Sequence, residues 1–69
     1  MSYRPTNVPA HEVRLKINAL RAGGWKIIDI AAKAGISRWT VRNITESRSY
    51  TVHASVAEAI ERVWREARR

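Results

Sequence analysis

The sequence predicts a compact all-α domain of four to five helices, organised around one sharp bend between two short helices. Three observations carry this. Apolar residues recur at helical spacing in successive stretches, each leaving one face polar. Glycines punctuate these stretches at Gly23-Gly24 and Gly35 and do not interrupt them. Sixty-nine residues make one domain, and at that size the core is small enough that helix packing must be good for the chain to fold alone.

Residues 1–8 show no periodicity and are expected to form a flexible N-terminal arm, with Arg4 as a basic group that can enter a minor groove. The domain proper is assigned to residues 9–69. Pro9 suits a first helical turn, and Val13, Ile17 and Leu20 place an apolar stripe on a helix running to about Ala22. Gly23-Gly24 ends it, one of the two in the left-handed conformation. Ile27, Ile30, Ala31 and Ala34 then mark a second, short helix, with Asp29 in its first turn. Ile28 falls off that stripe, and Lys26 stands where a capping hydroxyl is preferred.

Gly35 supplies positive φ for the bend, Ile36 plugs the core beneath it, and Ser37 caps a third helix from Arg38 to about Thr45. With Trp39 set at zero, Val41 and Ile44 project to about 200° and 140°, so the core lies opposite Trp39. Arg42, Asn43 and Glu46 project within about 60° of Trp39 and share its outward side. Glu46 to Ala54 reads as a polar connection anchored by Val52, with Arg48 suited to a phosphate. Ser55 and Glu58 have the spacing of a capping box, and Val56, Ala59, Ile60, Val63 and Ala67 form the broad stripe of a last helix. Glu58 with Arg62 and Glu61 with Arg65 are i, i+4 pairs on its solvated face.

Charge narrows the partners. Thirteen Lys and Arg against six Asp and Glu give +7, and the pI of about 11.2 lies well above the level of about 9 at which nucleic acid becomes the leading hypothesis. Cysteine is absent, which excludes disulfides and thiolate metal sites. The two histidines, His11 and His53, offer no ligand set, and no metal or other cofactor is expected. No Ser-His-acid set or paired carboxylate stands out, so the chain is expected not to be an enzyme. No apolar run approaches the roughly 18 residues of a membrane span, and the N-terminus lacks the apolar core of a signal peptide. A cytoplasmic protein is expected, without a membrane partner.

The segment Ile30-Ala31-Ala32-Lys33-Ala34-Gly35-Ile36-Ser37-Arg38-Trp39-Thr40-Val41-Arg42-Asn43-Ile44 resembles the helix-turn-helix of the lambda-repressor-like and lactose-repressor-like families, phage Cro and repressor proteins among them. Ala31, Gly35, Ile36, Val41 and Ile44 stand where those families place the small residue, the bend glycine and the buried aliphatics. The likeness covers residues 27–45, and the capped last helix extends it to a compact domain. Lys26 at the first cap and Trp39 on the third helix depart from the commoner pattern.

This resemblance implies that the helix from Arg38 is a recognition helix, entering the major groove while the preceding helix crosses the backbone. Arg38, Trp39, Arg42 and Asn43 are then the base-contacting candidates: Arg pairs with guanine, Asn with adenine, and Trp packs on a thymine methyl. Lys26, Lys33, Ser37, Thr40 and Arg48 are the candidates for phosphate. The expected function is a sequence-specific double-stranded-DNA-binding transcriptional regulator, acting in a bacterial or phage-infected cytoplasm without a small-molecule effector. A homodimer through Ile60, Val63 and Trp64 is a separate expectation, drawn from the small core and the paired half-sites of such proteins. Two rivals use the same fold: an architectural or recombination-directionality factor that bends DNA, and an antitoxin-like adaptor for which Trp39 is a protein hot spot.

Overall fold

The computed structural model describes residues 7–46 and 51–68. Their order is β1 (Asn7–Pro9), α1 (Ala10–Ala22), α2 (Ile27–Ala34), α3 (Arg38–Glu46), β2 (Thr51–His53) and α4 (Ala54–Ala67). The fold is a mostly helical domain of four helices with a small two-stranded antiparallel ribbon.

The apolar stripes do what their spacing requires. Ile17 of α1, Ile30 of α2, Val41 of α3 and Ile60 and Val63 of α4 are the largest fully buried side chains, so every helix contributes to one core. Burying each stabilises the fold by about 1.5–3 kcal/mol. Ala31 and Ala34 are also buried, and their small side chains let α2 lie close to its neighbours. Ile36, Trp25 and Trp64 pack against this core while remaining partly exposed.

Both expected glycine stops form. Gly24 takes φ +101°, Trp25 N–H donates to Leu20 C=O at 3.1 Å and Gly24 N–H to Arg21 C=O at 3.0 Å, the paired bonds of a Schellman end. Gly35 repeats the arrangement at φ +74°, with Ile36 N–H on Ala31 C=O at 3.0 Å and Gly35 N–H on Ala32 C=O at 3.3 Å.

Three expectations are corrected. Asn7 and Val8 do not belong to a flexible arm: Val8 pairs with Val52, Asn7 with His53 and Pro9 with Thr51. The polar connection therefore ends in a strand, and Val52 is buried against α1 and α4. Pro9 closes β1 and precedes the first turn of α1; a two-stranded ribbon tolerates its missing N–H at an edge. The cap of α4 is His53, whose Nδ1 accepts from Ser55 N–H at 3.2 Å, so Ser55 lies inside the helix it was expected to cap.

Polar bonds tie the helices together where the core ends. Arg14 Nε donates to Ile44 C=O at 3.1 Å, satisfying one of the last carbonyls of α3 from α1. Lys16 Nζ bonds Glu61 at 3.0 Å across the α1–α4 seam. Trp64 sits beside this pair, with Lys16 Nζ 5.5 Å and Arg68 Cζ 4.4 Å from its ring centroid. Among the described residues, no helix is long and apolar enough to cross a membrane.

Candidate nucleic-acid interface

The site is built by α2, the Gly35 bend and α3. At the start of α2 the backbone N–H of Lys26 donates to Asp29 Oδ2 at 3.1 Å. This is half of a capping box, because a lysine side chain has no acceptor to return the bond. Asp29 thus compensates for the weak cap and leaves the exposed Lys26 ammonium at the outer end of α2.

Ser37 starts α3 as its sequence promised. Its Oγ accepts from Thr40 N–H at 3.1 Å and lies 2.8 Å from Thr40 Oγ1, so these two of the phosphate candidates are joined at the first turn. With Val41 and Ile44 buried beneath, the orientation of α3 is fixed. Trp39 is 69% exposed, and Arg38, Arg42, Asn43 and Glu46 are exposed with it.

The four base-contacting candidates do not form one undivided patch. Arg38, Trp39 and Arg42 line a hollow of about 630 Å³ with Ile27, Ile28 and Glu46. Asn43 and Thr40 border a smaller hollow of about 220 Å³, walled by β2 and the start of α4. Exposed Trp39 lines only the larger of the two, the one on the α2 side. Within that hollow Arg42 Nε donates to Glu46 Oε1 at 3.2 Å and Oε2 at 3.3 Å.

The phosphate candidates separate as well. Lys33 lies on the other flank of α2, with Nζ 3.9 Å from Glu66 of α4, and does not line the hollow that Ile28 shares with α3. Arg4 and Arg48 lie outside the described residues.

The expected dimer contact is corrected at Ile60 and Val63. Ile60 and Val63 are buried within the chain's own core, and Trp64 is half-buried beside Lys16 and Arg68. The α4 stripe is satisfied by α1 and α2, which pack on it. Sequence periodicity shows that a stripe must be covered, not by what.

Ile28 and Arg14 belong to the site's surroundings and were not assigned there from sequence. Ile28 carried a signal, since it fell off its helix stripe. The Arg14 contact to Ile44 carried none, being a bond to a backbone atom 30 residues away. His11 is exposed, and among the described residues no group of three or more His, Cys, Asp or Glu is placed to hold a metal ion.

No family model, curated protein or solved structure matches the chain.

Proposed function

We propose that the chain is a sequence-specific double-stranded-DNA-binding regulator that inserts the outer face of α3 into the major groove. The observation that carries this reading is the orientation of α3: Val41 and Ile44 are committed to the core while Arg38, Trp39, Arg42 and Asn43 are all exposed, the first three around one hollow and Asn43 at the edge of the other. A helix is about 10–12 Å across with its side chains, and the major groove of B-DNA is about 12 Å wide. Arg and Asn are the side chains whose donor and acceptor geometry matches guanine and adenine edges. The charge of +7 supplies the attraction to phosphate that precedes base reading.

In this reading Ser37, Thr40 and Lys26 approach the backbone and set register, and regulation follows from occupancy of an operator-like site in a bacterial or phage-infected cytoplasm. No residue is assigned a catalytic role. Selection from a random duplex library, followed by titration at several salt concentrations, tests it. An enriched motif bound with a negative salt slope supports the reading; no enrichment and no binding overturn it.

One observation favours a second reading. Trp39 and Ile28 are both large, apolar and exposed, as an adaptor's protein-binding spot requires. If the library yields no motif and Trp39→Ala abolishes capture of a protein partner, the adaptor reading replaces the first.

A further inference from the structure

Ile28 and Trp39 are the exposed large apolar side chains of the α2–bend–α3 unit, at 54% and 69% exposure. They come from different helices and line the same hollow, with half-buried Ile27 beside them and Arg38 and Arg42 in its wall. An Ile at the start of α2 serves no packing purpose when it is left in water.

Size limits what covers this pair. A stable protein interface engages about 20–30 residues a side and buries about 1,600 Å² in total, whereas this spot offers two exposed apolar side chains. A thymine 5-methyl group matches it: a single apolar carbon, displayed in the major groove, which two side chains can enclose. The surroundings also suit a nucleic acid: two guanidinium groups border the hollow against one carboxylate, Glu46, which is paired with Arg42, and the whole chain is strongly cationic.

We propose that Ile28 and Trp39 form a subsite for thymine 5-methyl groups, so that α2 takes part in reading the duplex beside α3. This rests on the reading of α3 as a major-groove helix. Arg42, held in the wall of the same hollow, reads an adjoining base edge, and the two contacts together favour sites in which thymine lies close to guanine.

The test needs no variant at first. Each thymine of the selected duplex is replaced in turn by deoxyuridine, which removes only the 5-methyl group, and affinity of the full chain is measured. Burial of one methyl predicts a loss of about four-fold at one or two positions and none elsewhere. Trp39→Ala binds the thymine duplex more weakly and loses no further affinity at those positions on uracil substitution, and Ile28→Ala reduces the same methyl effect. Retained helical circular dichroism shows that these exposed positions leave the fold intact.

A uracil scan that is silent throughout, on a duplex bound with clear sequence preference, overturns the methyl subsite and leaves DNA binding standing. A methyl effect that persists unchanged in both variants places the reading elsewhere and likewise overturns it. Failure to select or bind any duplex overturns the DNA-binding reading, and the subsite with it.

Discussion

Arg42 and Glu46 form an ion pair along the outer face of α3, Nε to Oε1 at 3.2 Å, with both side chains 65% exposed. An exposed i, i+4 pair of this kind contributes only a few tenths of a kcal/mol to stability. Its consequence lies in presentation. Glu46 engages the Nε edge of the guanidinium; on the proposed DNA-binding reading its carboxylate would repel phosphate and leave Arg42 for a base edge in preference to the backbone. Glu46→Gln is expected to strengthen binding to random DNA and to steepen the slope of log affinity against log salt by about one unit. Arg42→Ala is expected to cost about 1–3 kcal/mol on the selected site and much less on random DNA. Equal losses on both duplexes would remove Arg42 from base reading.

Lys26 and Lys33 are alike in sequence terms but differ in place. Lys26 stands at the exposed N-terminal end of α2, and Lys33 leans toward Glu66 on the α4 flank. Lys26→Ala is therefore expected to weaken binding to all duplexes alike and to flatten the salt slope by about one unit. Lys33→Ala should leave that slope unchanged. Salt titrations of both variants on one duplex decide it.

How much of this was legible in the sequence follows from the range of the forces involved. Helix positions were legible because Val13, Ile17 and Leu20, or Ile30, Ala31 and Ala34, report a local period that no distant contact alters. The outward face of α3 followed from Val41 and Ile44 in the same way. The ribbon was not legible: β1 and β2 have three residues each, too few for alternation to register, and Val8 and Val52 recognise each other only once α1 and α4 bring them together. The α4 stripe was legible as apolar but not as internally covered, which is why Ile60 and Val63 read as a contact for a second copy.

Gly35 sets the angle between α2 and α3 through its left-handed backbone at φ +74°. A Cβ there meets nothing within 4 Å, so Gly35→Ala costs only the backbone penalty, about 1–2 kcal/mol. Gly23, at φ −82°, carries no such penalty, and its added Cβ would lie an ordinary 3.4 Å from Leu20 C=O. Urea denaturation is expected to show Gly35→Ala clearly destabilised and Gly23→Ala close to wild type. Similar stabilities for the two would mean that the bend does not depend on a left-handed residue.

Ile60 is fully buried between the helices. Ile60→Ala is expected to destabilise the domain by about 2–5 kcal/mol, a large share of the total for a chain of this size. Because the side chain serves the monomer's own core, the loss should be independent of protein concentration. A midpoint that shifts with concentration in wild type, and ceases to do so in the variant, would restore the intersubunit role.

Glu61 accepts a hydrogen bond from Lys16, which is the main reason its pKa is lowered, and the charges of Lys16 and Arg65 act in the same direction. The unfolded chain, with the ordinary value of 4.5, takes up this proton before the native state does. The resulting stabilisation is complete above that ordinary value and is lost as pH falls through the lowered native one. The carboxylate is well solvated, so the effect is small. Lys16→Met keeps much of the apolar stem beside Trp64 but removes both the bond and the charge. Between about pH 6 and pH 3, the thermal midpoint of wild type is therefore expected to fall more steeply than that of Lys16→Met, because the variant keeps only the smaller contribution of Arg65 to this native-state preference. Identical pH slopes would show that the Lys16–Glu61 bond is not maintained in solution.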